Sequence, residues 1–260
     1  HDDEWLAAAT ELHLAAALDK GREEHLFSAI GIALGLLREQ KSEAYAAREW
    51  AGQRSYVDPI VLLAETIYYA GARHLAALML DEIRSTATDL SPLQLGRIMA
   101  RRARIAWSLG ASDEATERYQ AVVALGKKER SFELLATGEL GLTTMAQFRG
   151  DFPDLRVRAA RAYTMAGRSG NTAVVRWSLL ATMMSDASQE KFDDAVPAGW
   201  RLFELSRGYP VWEAEAFINM AQLLLEAGHP DDARATFSAA VERQAPARLL
   251  LLALGGLAIA

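Results

Sequence analysis

A segment built around a turn recurs along this chain at intervals of about forty residues. Its anchor positions are Gly71, Gly110, Gly150, Glu190 and Gly228, so the successive spacings are 39, 40, 40 and 38 residues. A fixed period of roughly 20 to 50 residues is the signature of a protein made of stacked structural repeats. Stacked repeats offer an extended surface rather than one enclosed pocket. The sequence therefore predicts a solenoid and favours binding over catalysis.

The last unit shows the pattern of each repeat most clearly. Apolar residues recur at steps of three and four between Trp212 and Leu225, which is helical periodicity. Gly228 then supplies the left-handed conformation of a helix C-cap, and Pro230 suits the first position of a new helix. A second apolar stripe follows from Ala233 onward. Each unit is therefore predicted to be a helix, a tight turn and a second helix.

The same pattern predicts helices along the whole chain. They cover residues 3–19, 23–39, 42–53, 58–70, 73–86, 92–109, 113–126, 131–148, 153–166, 171–187, 192–206, 211–227, 230–243 and 246–260. Ser91 and Gln94 form a capping box before one of them, and Pro197 lies inside another, where we expect a late start or a kink. No linker rich in proline, glycine or serine divides the chain. We therefore predict one domain over residues 1–260, with the clearest repeats within 58–243.

The two ends of the sequence favour a fragment of a longer chain. The sequence begins at His1 rather than at a methionine, and its last predicted helix, 246–260, is strongly apolar. Solenoids need polar terminal caps to remain in solution. We expect the repeats to continue in the native protein, or the last helix to dock on another surface, including self-association. The alternative is that this helix packs on the preceding pair and the array ends there.

Composition excludes several classes of protein. The formal net charge of −6 argues against a general nucleic-acid binder. The chain contains no cysteine, so disulfides and thiolate metal sites are impossible. The acidic start does not resemble a signal peptide, and the apolar stretch 249–260 is too short to span a bilayer. We therefore expect a cytoplasmic protein without membrane insertion.

The sequence offers no constellation for catalysis or for a cofactor. The five histidines, at positions 1, 13, 25, 74 and 229, are not spaced to share a helical face as metal ligands. There is no thiol nucleophile and no nucleophile elbow of the Gly-x-Ser-x-Gly kind. Paired acids such as Asp231 and Asp232 suit the first turn of a helix, where negative charge complements the helix dipole. We predict no catalytic residue, no metal and no cofactor, and hence a protein that is not an enzyme.

At the level of individual positions the chain resembles the tetratricopeptide-repeat superfamily. That family pairs a small residue in the first helix and a glycine at the turn with a small and then a larger residue in the second helix. The matching positions of the second and fifth units are Ala103, Gly110, Ala115, Tyr119 and Val122, and Ala221, Gly228, Ala233, Phe237 and Ala240. The resemblance implies an all-α fold, a right-handed solenoid of antiparallel helix pairs. The repeats here, of about 39 to 40 residues, are longer than the usual 34 of the family.

The resemblance also implies where a partner would bind, because the first helix of each unit lines the concave face in this family. By register, the exposed positions of that face are Glu65, Arg97, Ala100, Arg104, Thr137, Leu140, Thr144, Trp177, Met184, Glu215, Ile218, Asn219 and Gln222. The residues that we predict to contact a partner are Arg97, Arg101, Arg104, Trp107, Trp177 and Asn219. Arginine forks suit carboxylates and phosphates, and tryptophan stacks on a bound segment. The alternative is a solvated helix face whose arginine stems cover alanines.

Two functions remain open from the sequence. The first is a protein–protein interaction scaffold that binds a partner peptide or helix in its concave groove. The second is an effector-sensing superhelical arm of a larger bacterial signalling or transcription regulator, since repeats of this length resemble such arms. We favour the first, because the repeat is present and a catalytic set is missing.

Overall fold

The computed structural model describes residues 61, 64, 65, 67, 68, 73–87, 90–207, 210–242 and 247–259, and it describes their side chains except at residues 86, 210–212 and 247–250. Every regular element within these residues is an α-helix. The ten elements are α1 (Arg73–Thr86), α2 (Pro92–Ser108), α3 (Ser112–Lys128), α4 (Phe132–Phe148), α5 (Phe152–Ser169), α6 (Thr172–Ala187), α7 (Phe192–Ser206), α8 (Pro210–Glu226), α9 (Pro230–Glu242) and α10 (Ala247–Ile259). The predicted helices over 3–19, 23–39 and 42–53 lie outside the described residues.

The predicted helix boundaries agree closely with these elements. The largest difference is at the end of α5, which continues to Ser169 rather than stopping at residue 166. The expectation of a late start at Pro197 is wrong, because α7 begins at Phe192 and runs through the proline. Pro197 occupies the sixth helical position, where its missing N–H removes one bond of the helix without ending it. Its exposed position lets the surrounding water compensate for that loss.

The chain divides into two compact units, and the division falls within α3, between Arg118 and Tyr119. Among the described residues, the N-terminal unit contains the helical residues 61, 64, 65, 67 and 68 together with α1 and α2. The C-terminal unit contains the pairs α4–α5, α6–α7 and α8–α9, followed by α10. Within it each helix packs on the next along the chain, and the first helices α4, α6, α8 and α10 pack on one another in order. This is the stacking of antiparallel pairs expected of an all-α solenoid; the prediction of a single domain stays a prediction.

One turn geometry recurs at the predicted anchors. Gly110, Gly150, Glu190 and Gly228 all adopt positive φ, at 88°, 68°, 58° and 82°. In each turn the next residue donates its N–H to a carbonyl five residues earlier, as Lys191 does to Asp186 at 3.0 Å. This pair of features is the Schellman C-cap, which satisfies the last carbonyls of the first helix. The structure therefore confirms the repeat at four anchors, while Gly71 lies outside the described residues.

The small and large residues that define the repeat are buried where the pattern requires. Ala103, Ala115, Ala221 and Ala233 are fully buried, which allows neighbouring helix backbones to approach closely. The aromatic residues of the second helices reach the first helix of the next pair. There the ring of Tyr119 lies directly against Gly141, and that of Phe237 lies directly against Gly256. A glycine inside each of these first helices thus makes room for the ring.

Candidate partner-binding surface

Helix α2 is built to hold its arginines on one side. A capping box begins it, in which Gln94 N–H donates to Ser91 Oγ at 3.2 Å and Ser91 N–H donates to Gln94 Oε1 at 3.1 Å. Its apolar side is buried, including Ile98 and Ile105. Arg97, Arg101 and Arg104 follow at steps of four and three residues, a spacing that puts them on a common helical face. All three are half-buried.

The structure brings Arg101 and Arg104 together on one carboxylate. Arg101 donates from Nε and Nη2 to Glu65 Oε2 at 3.2 and 2.8 Å, and Arg104 donates from Nη1 to Glu65 Oε1 at 3.2 Å. Burial raises the pKa of Glu65, but the charges and hydrogen bonds of the two arginines outweigh it, so that the pKa is lowered overall. Glu65 is therefore an ionised carboxylate between two guanidinium groups. We call Arg97, Arg101, Arg104 and Glu65 the arginine cluster.

The arginine cluster is only partly enclosed. Two guanidinium groups bind one carboxylate at its centre, and Arg97 lies one turn away on α2. The cavity beside Glu65 measures only about 10 Å³, which accommodates a water molecule and no larger group. The Arg101 and Arg104 side chains are 25% and 32% exposed, so their outer edges still face solvent. An anion can reach the cluster only along those edges.

Arg102, the fourth arginine of α2, points elsewhere. It donates from Nε to Asp81 Oδ1 of α1 at 2.9 Å, which ties the two helices together. The remaining predicted residue of this unit, Trp107, lies near the end of α2 and is half-buried. Arg102 is thus a structural residue, and the arginines of α2 are divided between two tasks by their positions around the helix.

The other two predicted site residues lie in the C-terminal unit. Trp177 of α6 is half-buried, and the guanidinium carbon of Arg176 lies 5.0 Å from the centre of its ring. Asn219 of α8 is also half-buried and donates from Nδ2 to the backbone carbonyl of Glu215 at 2.8 Å. The two residues therefore stand on successive first helices that pack on each other.

The first helices of the C-terminal unit share a half-buried face, which we call the first-helix face. Its members are Thr137, Leu140 and Thr144 on α4, Trp177, Leu180 and Met184 on α6, and Glu215 and Asn219 on α8. The register predicted Ala100 and Ile218 as exposed, and this is wrong. They are only 6% and 3% exposed, because their positions turn toward neighbouring helices. Among the eight residues named for the first-helix face, Glu215 alone carries a charge.

Sequence reasoning missed the ion pairs that connect helices within the C-terminal unit. Arg176 of α6 is 3% exposed, and its Nη1 donates to Glu215 Oε2 of α8 at 3.0 Å. Arg158 of α5 binds Glu139 at 3.0 Å and Asp154 at 2.8 Å. Burial lowers the pKa of Arg158, while its bond to Asp154 and the two carboxylate charges raise it overall.

The repeat period itself is a signal that could have found two of these contacts. Glu65 and Arg104 occupy equivalent positions 39 residues apart, and Arg176 and Glu215, also 39 residues apart, differ by one position from the 38-residue spacing of their turns. Because equivalent positions of adjacent first helices lie side by side in a solenoid, opposite charges one period apart are in reach of each other. A search for such pairs would have marked both ion pairs before the structure was known.

Comparison with known proteins places the fold. No family model matches the chain, and no curated protein matches it in sequence. Among solved structures, a thermophilic TPR protein of Thermus thermophilus is 19% identical, with a TM-score of 0.57 over 78% of this chain and 99% of that one. A tetratricopeptide repeat protein of Parabacteroides merdae is 13% identical, with a TM-score of 0.52 over 97% of this chain and 86% of that one. This protein has a tetratricopeptide-repeat fold.

A third similar structure supports the same fold. BtubC (BKLC) from P. vanneervenii is 21% identical and gives a TM-score of 0.61 over 84% of this chain and 91% of that one. At such low identity the likeness extends to the arrangement of helices and not to the side chains on the surface. The tetratricopeptide-repeat fold therefore comes with no residue-level assignment of a binding site.

Two features are absent from the described residues. No helix in these ranges combines the length and apolar character needed to cross a bilayer. No group of three or more histidine, aspartate or glutamate side chains in the described part of the chain is arranged to hold a metal ion.

Proposed function

We propose that this tetratricopeptide-repeat protein is a non-enzymatic scaffold whose first helices bind a segment of a partner protein. The observation that carries the proposal is the arginine cluster, where two guanidinium groups of α2 share the single carboxylate of Glu65. Partly exposed guanidinium groups are suited to bind a carboxylate of a partner, because a planar fork donates two hydrogen bonds at once.

The proposed roles of the six residues follow from their positions. Arg97 and the outer edges of Arg101 and Arg104 bind an acidic group of the partner. Trp107 and Trp177 pack against its apolar side chains, as half-buried tryptophans do in binding hot spots. Asn219 uses its side-chain oxygen to accept a hydrogen bond, since its Nδ2 already donates to Glu215. The proposed partner is a protein or peptide and not a nucleic acid, and the proposed setting is the cytoplasm.

Partner capture with matched variants tests this function. Wild-type protein and Arg97→Glu protein are used to capture partners from a lysate of the source organism, and contacts are located by cross-linking and mass spectrometry. Arg97 is chosen because the Glu65 contacts of Arg101 and Arg104 remain in place in that variant. We expect cross-links on α2, α4, α6 and α8, and loss of the captured protein with Arg97→Glu.

The control variant is Arg84→Glu, which makes the same change of charge at an exposed position of α1. It should retain the partner. Identical captures by wild type and Arg97→Glu would remove the arginine cluster from the binding surface. The effector-sensing arm would then become the better explanation of the fold.

A further inference from the structure

A second surface of the C-terminal unit has the composition of a binding site. On α7, Trp200 is 49% exposed, although tryptophan is buried on average in folded proteins. Its ring meets that of Phe203 edge-on at 6.3 Å, and Phe203 in turn packs on Phe217 of α8 at 4.6 Å. Trp200 is therefore anchored at one edge while its outer face is open to solvent.

Two arginines near Trp200 in the chain are held by neutral partners. Arg201, the next residue, donates from Nη1 to the hydroxyl of Tyr163 on α5 at 3.0 Å. Arg207 lies 5.6 Å from the centre of the Phe203 ring. Both partners are neutral, so they orient the guanidinium groups without cancelling their charge. We call Trp200, Arg201 and Arg207, together with Arg161 of α5, the α7 patch.

Arg161 extends the patch onto the neighbouring second helix. It lies one repeat before Arg201, forty residues earlier, and is exposed. Among the described residues it has no ion-pair or hydrogen-bond partner for its side chain. On α7 the exposed acids are Glu204, one turn beyond Trp200, and Asp193 and Asp194, about two turns before it. Of these three acids, Glu204 alone lies within about one turn of Trp200, so the three arginines leave the part of the α7 patch around the tryptophan positive, on a chain whose net charge is −6.

We propose that the α7 patch is a second docking surface, which binds an acidic segment of a partner protein. Carboxylates of that segment bind Arg161 and Arg201, and an apolar side chain between them covers Trp200. Charge complementarity selects an acidic partner, and tryptophan and arginine are both enriched among the residues that dominate binding at protein interfaces. The patch lies on second helices, so it binds separately from the first helices of the proposed scaffold function.

The test measures fluorescence anisotropy of a fluorescein-labelled twelve-residue peptide in which glutamate and leucine alternate. The intact chain is compared with Arg161→Glu/Arg201→Glu, with Trp200→Ala, and with a control of equal charge change, Arg84→Glu/Arg234→Glu, at exposed positions outside the patch. We expect binding by the wild type, at least about tenfold weaker binding by the first two variants, and less than about a twofold change in the control. Unchanged thermal unfolding shows that the variants are folded.

Four results would overturn the proposal. If Arg161→Glu/Arg201→Glu and the control Arg84→Glu/Arg234→Glu weaken peptide binding equally, binding depends only on the net charge of the chain. Loss of binding in Arg97→Glu would place the peptide on the first helices instead. If the wild-type protein does not bind the peptide but binds phosphatidylserine vesicles, and Arg161→Glu/Arg201→Glu abolishes vesicle binding, the patch binds a lipid surface. A dimer in sedimentation velocity that the patch double converts to a monomer would mean a second copy of this chain.

Discussion

The first helices of the two units share one fold but carry different surfaces. At three equivalent positions α2 has Arg97, Arg101 and Arg104, whereas α4 has Thr137, Gly141 and Thr144. The buried positions differ as well, since Ile98, Ala103 and Ile105 of α2 correspond to Gly138, Thr143 and Met145 of α4. The repeat therefore preserves the helices and the turn between them, and varies side chains on both the packed and the outward side.

The difference at one of these positions has a steric cause. The ring of Tyr119 on α3 occupies the space that a side chain at Gly141 would need. The position equivalent to Tyr119 in the preceding unit is Leu80, which borders the cavity at Arg101. A large second-helix residue thus excludes a side chain from the following first helix. The arginine cluster requires a smaller, aliphatic residue beneath it.

Gly141→Ala should give the largest effect on stability. Its new methyl group overlaps the Tyr119 ring, and overpacking of a tight core costs about 1–3 kcal/mol. Urea unfolding followed by circular dichroism measures the change. The matched control is Gly167→Ala in α5, whose new methyl group meets open space. This control should stabilise the protein by up to about 1 kcal/mol, because alanine is the better helix former. Destabilisation of similar size in both would show that Tyr119 does not exclude the side chain.

Glu65→Gln should destabilise the N-terminal unit by about 2 kcal/mol. It leaves the two half-buried guanidinium groups without their carboxylate, and we place the effect below the range for fully buried pairs because the groups are partly exposed. Hydrogen exchange should show faster exchange in α2. Gln222→Ala, at the equivalent but exposed position of α8, should change stability by less than about 0.5 kcal/mol. An effect of Glu65→Gln no larger than this would mean that the arginine cluster is solvated rather than structural.

The contribution of the Glu65 carboxylate to stability should depend on pH. The folded pKa of Glu65 lies below its unfolded value, so the unfolded chain binds the proton more readily. Its contribution is complete above the unfolded pKa, about 4.3, and is lost as pH falls through the folded pKa. Unfolding free energies measured from pH 7 down to pH 3 should therefore fall less steeply for Glu65→Gln than for wild type. Parallel curves would contradict the lowered pKa.

Glu190→Gly should stabilise the C-terminal unit by about 1 kcal/mol. Glu190 holds a left-handed conformation at φ 58°, which glycine adopts without the strain of a Cβ atom. The converse change at an equivalent turn, Gly150→Ala, should destabilise by a similar amount, although a Cβ there has open space. Thermal unfolding measures both. Opposite signs would confirm that the four turns share one geometry, and a loss of stability in Glu190→Gly would contradict it.

The smallest change in stability is expected from the ionisation of Asp186. Burial, followed by repulsion from Asp194, raises the pKa of this carboxyl, while Lys191 and Arg156 partly offset the rise. The folded chain thus binds the proton more readily, and stability increases as pH falls through the raised pKa toward the unfolded value of about 3.9. This is opposite in sign to Glu65. Asp186→Asn should remove that increase in pH-dependent unfolding, and its persistence would assign the effect to another group.

Most of the fold followed from local signals. The anchors with their Schellman turns, the capping box at Ser91 and the apolar stripes involve residues within a few positions of one another. Such signals can be evaluated from the sequence alone, and they located the helices to within a turn. The late start expected at Pro197 was wrong because a proline at the sixth position loses one hydrogen bond, which packing of the rest of α7 outweighs.

The candidate surface followed only in part. The spacing of Arg101 and Arg104 put them near each other on α2, and the structure places both on Glu65, while the role predicted for Arg97 stays a prediction. The engagement of Arg101 and Arg104 by Glu65 depends on the distance between two helices, and so does the burial of Arg176 against Glu215. Ala100 and Ile218 were misplaced because a position near the edge of a helix face is exposed or buried according to how the next helix packs.

The sequence by itself determined the helices, their turns and their period, because these depend on backbone conformation and on burial that repeats every forty residues or so. Only the tertiary structure decided which arginines are internal partners of Glu65 and Asp81 and which cations of the α7 patch face solvent. It also decided that Tyr119 and Phe237 rest on glycines of the following helices. The physical reason is that ion pairing and exclusion of a side chain are set by distances of a few ångströms between helices, which no local pattern specifies.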